Sequence, residues 1–414
     1  MTKVTVIDSI MGSGKTSWAK QMMLKERNDK RFIYVTPYLN EIENNILIDC
    51  PFLVQPNEKK GKGSKLKHFK ELLVNGESII TTHALFSMFD NEVMELLENA
   101  GYTLILDEVA NVLEKMDKVT SSDIKILLEA NVIKIENRKV VWLDNMYNGV
   151  FSSKYANIKY QSQQGNIYVC RDSIMFWTFP TKVFDLFDET YILTYLFDGQ
   201  VQRYYYDFFE IKYTYKSIKK MGKGYCLVSN AGDTKEREIY IKFINVYEGL
   251  LNENYTEKKP KGNELSSTWL SHADTANIKR LKQNLYTYFR KNCNAKSADI
   301  IWTTKKDFKT KLKGKGYTKG FISLNTRATN DYQEAHNLAY VYNRYMNPME
   351  KAFFEDAGVK VNEDLLAVSD LLQWIWRSAI RKHNPEPINI YIPSLRMRTL
   401  LYQWLSNKEI KFKK

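Results

Sequence analysis

Short apolar runs alternate with helical patterns along the first half of the chain. The runs are rich in β-branched residues and cover residues 4–7, 32–35, 78–82, 103–106 and 191–196. Strands that are separated by helices are typical of βαβ units, which build parallel sheets. The pattern therefore predicts an α/β lobe with a parallel sheet.

The period changes to alternating apolar and polar positions between residues 132 and 179. Short runs separated by polar turns predict antiparallel hairpins, so we expect an insertion at about residues 131–180 of the first lobe. Three roles stay open for it: a strand-separating wedge, an accessory recognition domain, or a structural elaboration. Trp177 and Phe179 could stack on bases, or could belong to a core.

A second series of strands and helices follows the insertion. Strands are predicted at residues 225–228, 299–303, 321–324 and 388–392, and helices at residues 275–292, 332–345, 364–381 and 394–405. This predicts a second α/β lobe. We place the boundary near residue 200, which gives one domain of residues 1–200 and one of residues 201–414.

Composition narrows the class of protein. The chain has 414 residues, 44% of them hydrophobic and 26% charged, which is typical of a folded globular protein and not of a disordered one. The formal net charge of +13 favours an anionic partner, either nucleic acid or a membrane surface. Two lysine- and glycine-rich segments, residues 59–70 and 305–319, are candidate locations for that partner.

Cysteine and histidine patterns exclude several kinds of site. The four cysteines form no CxxC pair and the five histidines form no HExxH pattern, which argues against a zinc ribbon, a redox dithiol or a histidine-built metal centre. No apolar run approaches the roughly 18 residues of a membrane span. We therefore expect a cytoplasmic protein without a membrane-spanning segment; the motifs below favour nucleic acid, and no membrane, as its partner.

Residues 9–16, which we call the glycine loop, carry the strongest chemical signal. The loop reads SIMGSGKT and lies between a predicted strand and a predicted helix, as a phosphate-binding (Walker A) loop does, with Ser9 in place of the usual first glycine. In such a loop the backbone N–H groups surround phosphates, the lysine neutralises them and the hydroxyl of the next residue can ligate Mg²⁺. The expected nucleotide-binding residues are Met11, Gly12, Ser13, Gly14, Lys15, Thr16 and Ser17.

An acidic pair, Asp107 and Glu108, ends the apolar run at residues 103–106. An aspartate at this position can enter the coordination shell of Mg²⁺ together with Thr16, and a neighbouring glutamate can polarise the attacking water. With Lys15, the pair predicts hydrolysis of a nucleoside triphosphate.

These two motifs resemble those of superfamily two helicases of the DEAD/DEAH-like type. The glycine loop is similar to motif I of that family, and Asp107 and Glu108 are similar to motif II. Looser similarities are Thr36 and Pro37 to motif Ia, residues 81–83 to motif Ib, and residues 193–195 to motif III.

Two segments of the second lobe extend the resemblance. Residues 325–330 are similar to motif V, and residues 373–381 are similar to motif VI, whose glutamine and arginines face the γ-phosphate in the family. Arg377 and Arg381 are four positions apart here, where the family has three. A continuous helix would still place them on one face with Gln373, so either arginine is a candidate finger residue.

The resemblance implies two RecA-like lobes, ATP and Mg²⁺ as cofactors, and DNA as partner, single-stranded or forked and branched; RNA is a weaker expectation, and no protein partner is indicated. Members of the family that select adenine do so through a glutamine upstream of motif I. No glutamine precedes the glycine loop here, so the use of nucleoside triphosphates other than ATP stays open. The compact layout also resembles phage replication or recombination helicases, which would place the protein in the host cytoplasm. The expected nucleic-acid contacts are Thr36, Pro37, Thr82, His83, Thr304, Lys305 and Arg327.

The sequence therefore predicts an ATP-dependent DNA helicase or translocase with Lys15, Asp107, Glu108, Gln373, Arg377 and Arg381 as its catalytic residues. One alternative is a phage DNA-packaging ATPase of the terminase type. Another is a nucleotide-gated clamp on nucleic acid that does not unwind it.

Overall fold

The computed structural model describes residues 3–143, 153–230, 232–253, 255, 262–324, 332–382, 384–408 and 410. The described residues form two compact units, the first made of Met1–Ile7, Ala19–Tyr215 and Asn347–Val361, and the second of Asp8–Trp18, Lys216–Met346 and Asn362–Lys414. None of the described helices is long and apolar enough to cross a membrane.

The strands, in chain order, are β1 (Val4–Asp8), β2 (Arg31–Thr36), β3 (Ile79–Thr82), β4 (Tyr102–Asp107), β5 (Leu113–Lys115), β6 (Ile133–Glu136), β7 (Lys139–Trp142), β8 (Ile167–Cys170), β9 (Ile174–Thr178), β10 (Glu189–Thr194), β11 (Tyr213–Met221), β12 (Gly224–Ser229), β13 (Ile244–Val246), β14 (Ile300–Thr303), β15 (Asn337–Tyr340) and β16 (Ile388–Tyr391).

The α-helices are α1 (Lys15–Glu26), α2 (Leu39–Glu41), α3 (Leu47–Asp49), α4 (Lys65–Val74), α5 (His83–Phe86), α6 (Asn91–Leu97), α7 (Ser121–Glu129), α8 (Ser153–Gln163), α9 (Val201–Phe208), α10 (Thr234–Tyr240), α11 (Ser267–His272), α12 (Thr275–Thr287), α13 (Lys309–Leu312), α14 (Pro348–Glu355), α15 (Glu363–Ile375) and α16 (Leu395–Leu405).

A parallel sheet forms the centre of the first unit. Its strands lie in the order β1-β10-β4-β2-β3, and β10, β4, β2 and β3 run parallel to one another. All residues of β2 after Arg31, and all of β4 before Asp107, are buried. Strands that are buried on both faces read as continuous apolar runs, which is why the sequence pattern located them.

The insertion is a five-stranded antiparallel sheet in the order β5-β9-β8-β7-β6. It begins at Leu113, earlier than predicted, and carries α7 and α8. A capping box between Thr120 and Asp123 starts α7. The sheet and both helices share a core of their own, made of Val119, Ile124, Leu127, Val132, Ile133, Val140, Trp142, Ile158, Ile167, Val169 and Met175. A separate core is what allows the insertion to fold as a small subdomain.

One segment from late in the chain, Asn347–Val361, belongs to the first unit. Its helix α14 packs Phe353 against Phe208, with ring centroids 5.1 Å apart, and Arg138 donates to the Phe353 carbonyl at 2.8 Å. At the end of the segment, Arg171 forms an ion pair of 2.8 Å with Asp356. No local sequence pattern predicted this return.

The second unit contains the antiparallel hairpin β11–β12 and a parallel sheet in the order β13-β16-β15-β14. Both central strands, β15 and β16, are almost entirely buried. The predicted α/β fold class, with parallel sheets and an antiparallel insertion, is confirmed.

Three local predictions in the second unit are wrong. Residues 332–345 were expected as a helix, but they contain β15, which pairs with strands on both sides. Residues 321–324 were expected as a strand, but only a single bridge joins Phe321 to Trp302. The helix expected at residues 364–381 ends at Ile375.

A histidine network joins three strands of this sheet at their amino ends. His336, just before β15, lies with Nδ1 2.9 Å from Asp299 Oδ1 and Nε2 2.7 Å from Glu386 Oε2. Lys382 bonds the second Glu386 oxygen at 3.0 Å. Burial acts to lower the pKa of His336, but hydrogen bonds to Glu386 and Asp299 outweigh it and raise this pKa above 6.5.

We expect the melting temperature to fall with rising pH in a window set by this histidine. Because the folded state favours the protonated ring, the stabilisation is complete below the unfolded pKa of 6.5 and is lost as pH rises through the higher folded value. Calorimetry from about pH 6 to about pH 9 should show a flatter profile for His336→Gln than for the natural chain. The matched variant Glu386→Gln should reduce the slope, and an unchanged slope in His336→Gln would contradict this assignment.

Candidate functional site

The glycine loop connects β1 to α1. Gly12 and Gly14 have φ values of +79° and +97°, which side chains with a Cβ rarely adopt. The Ser13 N–H donates to the Ile10 carbonyl at 3.3 Å, and the first α-helical bond runs from Trp18 N to Gly14 O at 2.8 Å. The loop therefore turns tightly and leaves N–H groups at the start of α1 for other acceptors.

Ser9 attaches the loop to the hairpin. Its hydroxyl accepts a hydrogen bond from the backbone N–H of Ile218 at 2.9 Å, and the Ser217 hydroxyl donates to the Asp8 carbonyl at 3.2 Å. Ser9 is buried, and a glycine there would leave the Ile218 N–H without this acceptor. The departure from the usual first glycine thus has a structural reason.

Two tyrosines face the glycines of the loop. A Cβ added at Gly14 would lie 2.1 Å from Cε1 of Tyr225 on β12, and one added at Gly12 would lie 3.8 Å from the hydroxyl of Tyr240 on α10. Tyr240 also contacts Trp376, with ring centroids 4.8 Å apart. No local sequence pattern pointed to either tyrosine.

The side chains of the loop fit a bound phosphate. The Lys15 ammonium donates to the carbonyls of Ser9 and Ile10, and phosphate oxygens could replace both acceptors. The Ser13 hydroxyl is buried and has no hydrogen-bond partner among the described residues, so a phosphate oxygen would satisfy it. Thr16 and Ser17 occupy the first turn of α1, and Met11 precedes Gly12.

Asp107 and Glu108 lie at the carboxyl end of β4 in the first unit. Glu108 has a left-handed backbone, with φ of +72°, and its N–H donates to the Leu193 carbonyl on β10 at 3.0 Å. Non-glycine residues adopt this conformation at a cost, and such residues concentrate at functional sites. The neighbouring strand therefore fixes the direction in which the chain leaves the acidic pair.

A buried tyrosine holds the Asp107 carboxylate. Tyr34, on β2, donates its hydroxyl hydrogen to Asp107 Oδ2 at 2.7 Å, and Nε2 of His83 lies 3.0 Å from the Asp107 carbonyl. Complete burial, together with the negative charge of Asp107, raises the pKa of Tyr34 well above its ordinary value, so Tyr34 stays a donor. Tyr34 was not predicted, because its position in an apolar run reads only as core.

Gln202 fixes the backbone after the acidic pair. It is fully buried on α9, and its Oε1 accepts from the Ala110 N–H at 2.8 Å while its Nε2 donates to the Tyr206 hydroxyl at 2.9 Å. The two bonds use both ends of the amide. Gln202 was not predicted, although a polar residue at a core position of a helix is a sequence signal for a buried hydrogen bond.

The structure places the predicted nucleic-acid residues in different environments. Thr36 and Thr304 are fully buried, and Thr82 caps α5 by accepting from Leu85 N at 3.4 Å. Pro37 is half-buried and Lys305 lies 3.3 Å from Asp307. Arg327, with the rest of the segment similar to motif V, lies outside the described residues. Contacts of these side chains with nucleic acid stay predictions.

The three residues of the segment similar to motif VI do not share a helix face. Gln373 lies on α15, which ends at Ile375, where the Ser378 hydroxyl bonds the Ile375 carbonyl at 2.7 Å. Arg377 is buried and donates to the carbonyls of residues 323 and 324 at 3.0 and 3.1 Å. Arg381 is exposed in a short 3₁₀ turn. The expectation of one continuous helix is therefore wrong, and the choice of a finger arginine stays open.

The fold is that of an α/β protein with two parallel sheets, an antiparallel insertion and a glycine loop at the start of a helix. Two family models match parts of the chain: the YonV middle domain at residues 113–177 and the YonV C-terminal Rossmann-like domain at residues 238–405. The first match coincides with the insertion sheet, and the second contains the sheet β13-β16-β15-β14.

The chain belongs to the YonV family. It is 38% identical over 418 residues to the SPbeta prophage-derived uncharacterized protein YonV of Bacillus subtilis (strain 168), and the similarity covers 99% of this chain and 100% of that protein. Among solved structures, Xpd4 of S. tokodaii is similar with a TM-score of 0.49 and 10% identity, covering 98% of this chain and 94% of that one.

Replacing Ser9 by alanine should destabilise the protein. The change leaves the half-buried Ile218 N–H without its acceptor, which costs about 1 kcal/mol in the free energy of unfolding. Urea denaturation measures this loss. Ser217→Ala is the matched control: it removes a hydroxyl from the same contact, but its other bond, to Asn230, is exposed, so we expect a smaller loss. Equal losses would contradict the role assigned to Ser9.

Proposed function

We propose that this chain is a nucleotide-dependent translocase on nucleic acid, and specifically an ATP-dependent DNA helicase or translocase. The observation that carries the proposal is the glycine loop. It is a strand–loop–helix segment with two left-handed glycines, a lysine that donates to two backbone carbonyls, and a buried Ser13 hydroxyl that has no hydrogen-bond partner among the described residues. Such a segment binds phosphate groups through backbone N–H groups at a helix start.

The acidic pair supplies the second requirement, which is hydrolysis. Glu108 would accept the proton of the attacking water, and Asp107, oriented by Tyr34, would take part in binding a metal ion. Mg²⁺ supplies charge neutralisation at the phosphates and is usually bound by one or two carboxylates together with phosphate oxygens and water. Thr16 and Asp107 are the residues that would hold it.

Nucleic acid is the partner that best fits the basic composition. Contacts to phosphates carry no base information, so binding should tolerate sequence and should weaken as salt rises. The relative YonV is described as prophage-derived, and we extend that origin to this chain as part of the proposal. A role in phage DNA replication or recombination agrees with it.

Lys15→Ala should abolish hydrolysis because the phosphates lose their neutralising charge. Glu108→Gln should lower kcat about 10²- to 10⁴-fold while nucleotide affinity persists, since only the general base is lost. The measurement is phosphate release from ATP and GTP with Mg²⁺, in the presence and absence of single-stranded DNA, forked DNA and RNA. Lys25→Ala, an exposed lysine on the same helix α1, is the matched control and should behave as the natural chain.

Three results would redirect the proposal. If both Lys15→Ala and Glu108→Gln hydrolysed ATP as fast as the unaltered chain, hydrolysis at this loop would be excluded. Nucleotide binding without hydrolysis would favour the nucleotide-gated clamp. Hydrolysis that single-stranded and forked DNA stimulate, without strand displacement, would show a translocase and not a helicase.

A further inference from the structure

A groove in the second unit collects four lysines from two separate segments. Lys279 and Lys282 come from α12, and Lys311 and Lys315 from α13 and the loop after it; together with Tyr286 they line about 470 Å³, and we call this space the basic groove. No carboxylate is among the described residues that line it. The sequence pointed to the segment of residues 305–319 but not to α12.

The spacing on α12 produces one wall of the groove. Lys279, Lys282 and Tyr286 are three and four positions apart, so their side chains project from the same helix face. Asp274 lies just before this helix and caps it by accepting from Asn277 N at 2.6 Å. The helix itself contains no acid, so no carboxylate on α12 neutralises the lysines of this wall.

Hydrogen bonds fix the opposite wall. The buried Tyr317 donates its hydroxyl hydrogen to the Leu312 carbonyl at 2.7 Å, and Thr318 donates to the Gly314 carbonyl at 2.6 Å. A Cβ at Gly314 would lie 2.5 Å from the Tyr317 hydroxyl, so glycine is required for this close approach. The glycines therefore shape a defined loop that presents Lys311 and Lys315, which lowers the cost of ordering them on a ligand.

Charge separates the basic groove from the other lysine-rich segment. In residues 59–70, Lys70 pairs with Asp90 at 2.7 Å and also with Glu92, and Lys65 lies 3.8 Å from Glu58. None of the four groove lysines forms an ion pair with any residue that the structure describes. Like charges that converge without counter-charges repel one another, and a polyanion in the groove relieves that repulsion.

We propose that the basic groove binds the backbone of single-stranded nucleic acid, with the four ammonium groups on phosphates and the ring of Tyr286 stacked on a base. An aromatic ring beside a row of cations is the combination that tracks a single strand, because every base has a face for stacking. This inference rests on the proposed function, since it names the surface by which the second unit holds the partner.

The test is the salt dependence of binding to a fluorescently labelled oligo-dT strand, measured by anisotropy. Replacing Lys279, Lys282, Lys311 and Lys315 by glutamine should weaken binding and reduce the slope of log Kd against log salt by about 3, at about 0.7 per phosphate contact. Tyr286→Leu should weaken binding and leave the salt slope unchanged. The matched control replaces Lys25, Lys118, Lys125 and Lys212, which are exposed, lie outside both lysine-rich segments and remove the same charge.

An equal loss in the control would show an effect of net charge alone and would overturn the proposal, as would an unchanged slope in the groove variant. The proposal would also be overturned, in favour of a lipid surface, if the groove variant lost binding to phosphatidylserine vesicles but bound oligo-dT as tightly as the unaltered chain. Without DNA, the groove variant should release phosphate from ATP at the same rate as the unaltered chain. If the natural chain binds oligo-dT through the groove but hydrolyses no nucleotide, the proposed function fails while the groove stands.

Discussion

The first turn of a helix has backbone N–H groups without intrahelical partners, and in this chain such a first turn follows the tight glycine loop that joins β1 to α1. The connection is possible because Gly12 and Gly14 take left-handed backbones and because Ser9 and Lys15 bond the groups around them. The positions that make the turn possible are also the positions that would hold a phosphate. If the loop binds phosphate as proposed, folding and binding constrain the same eight residues. Ser9 departs from the general pattern, and its hydroxyl bonds the hairpin beside it.

The fold was predictable where burial acts on both faces of a strand. β2 and β4 are continuous apolar runs with polar ends, and their type and position follow from that pattern. β15 is the instructive failure, because a short run in a fully buried strand also matches the spacing of a buried helix. Pairing with β14 and β16 decides the outcome, and such pairing is not encoded locally. The early end of α15 has the same origin, since Arg377 turns to carbonyls of another segment.

The candidate site was predictable only in its motifs. Its motifs are recognisable from the sequence because few other roles require glycines, a lysine and an acidic pair at that spacing. The groups that position them are not: Tyr34 and Gln202 lie 73 and 92 positions from their partners, at places that periodicity assigns to the core. Tyr225 is likewise recognisable only when β12 and the glycine loop are seen together. The residues that position the motif side chains are thus brought there by the tertiary fold, and the motif itself does not predict them.

The carboxyl edge of the first sheet contains a strained backbone and buried hydroxyl groups without hydrogen-bond partners. A polar ligand could bond to those hydroxyl groups. Glu108 keeps a left-handed backbone, which costs about 1–3 kcal/mol and persists because the surrounding structure determines it. On the strands either side of β4, the hydroxyls of Thr36 and Thr194 are buried and find no hydrogen-bond partner among the described residues. A buried hydroxyl without a partner is destabilising, and a polar group that formed a hydrogen bond with it would offset that cost. The Glu108 N–H is bonded to the Leu193 carbonyl, which ties the backbone of the acidic pair to the neighbouring strand β10. The conformation of the acidic pair therefore depends on pairing within the sheet and not on the two acidic residues alone.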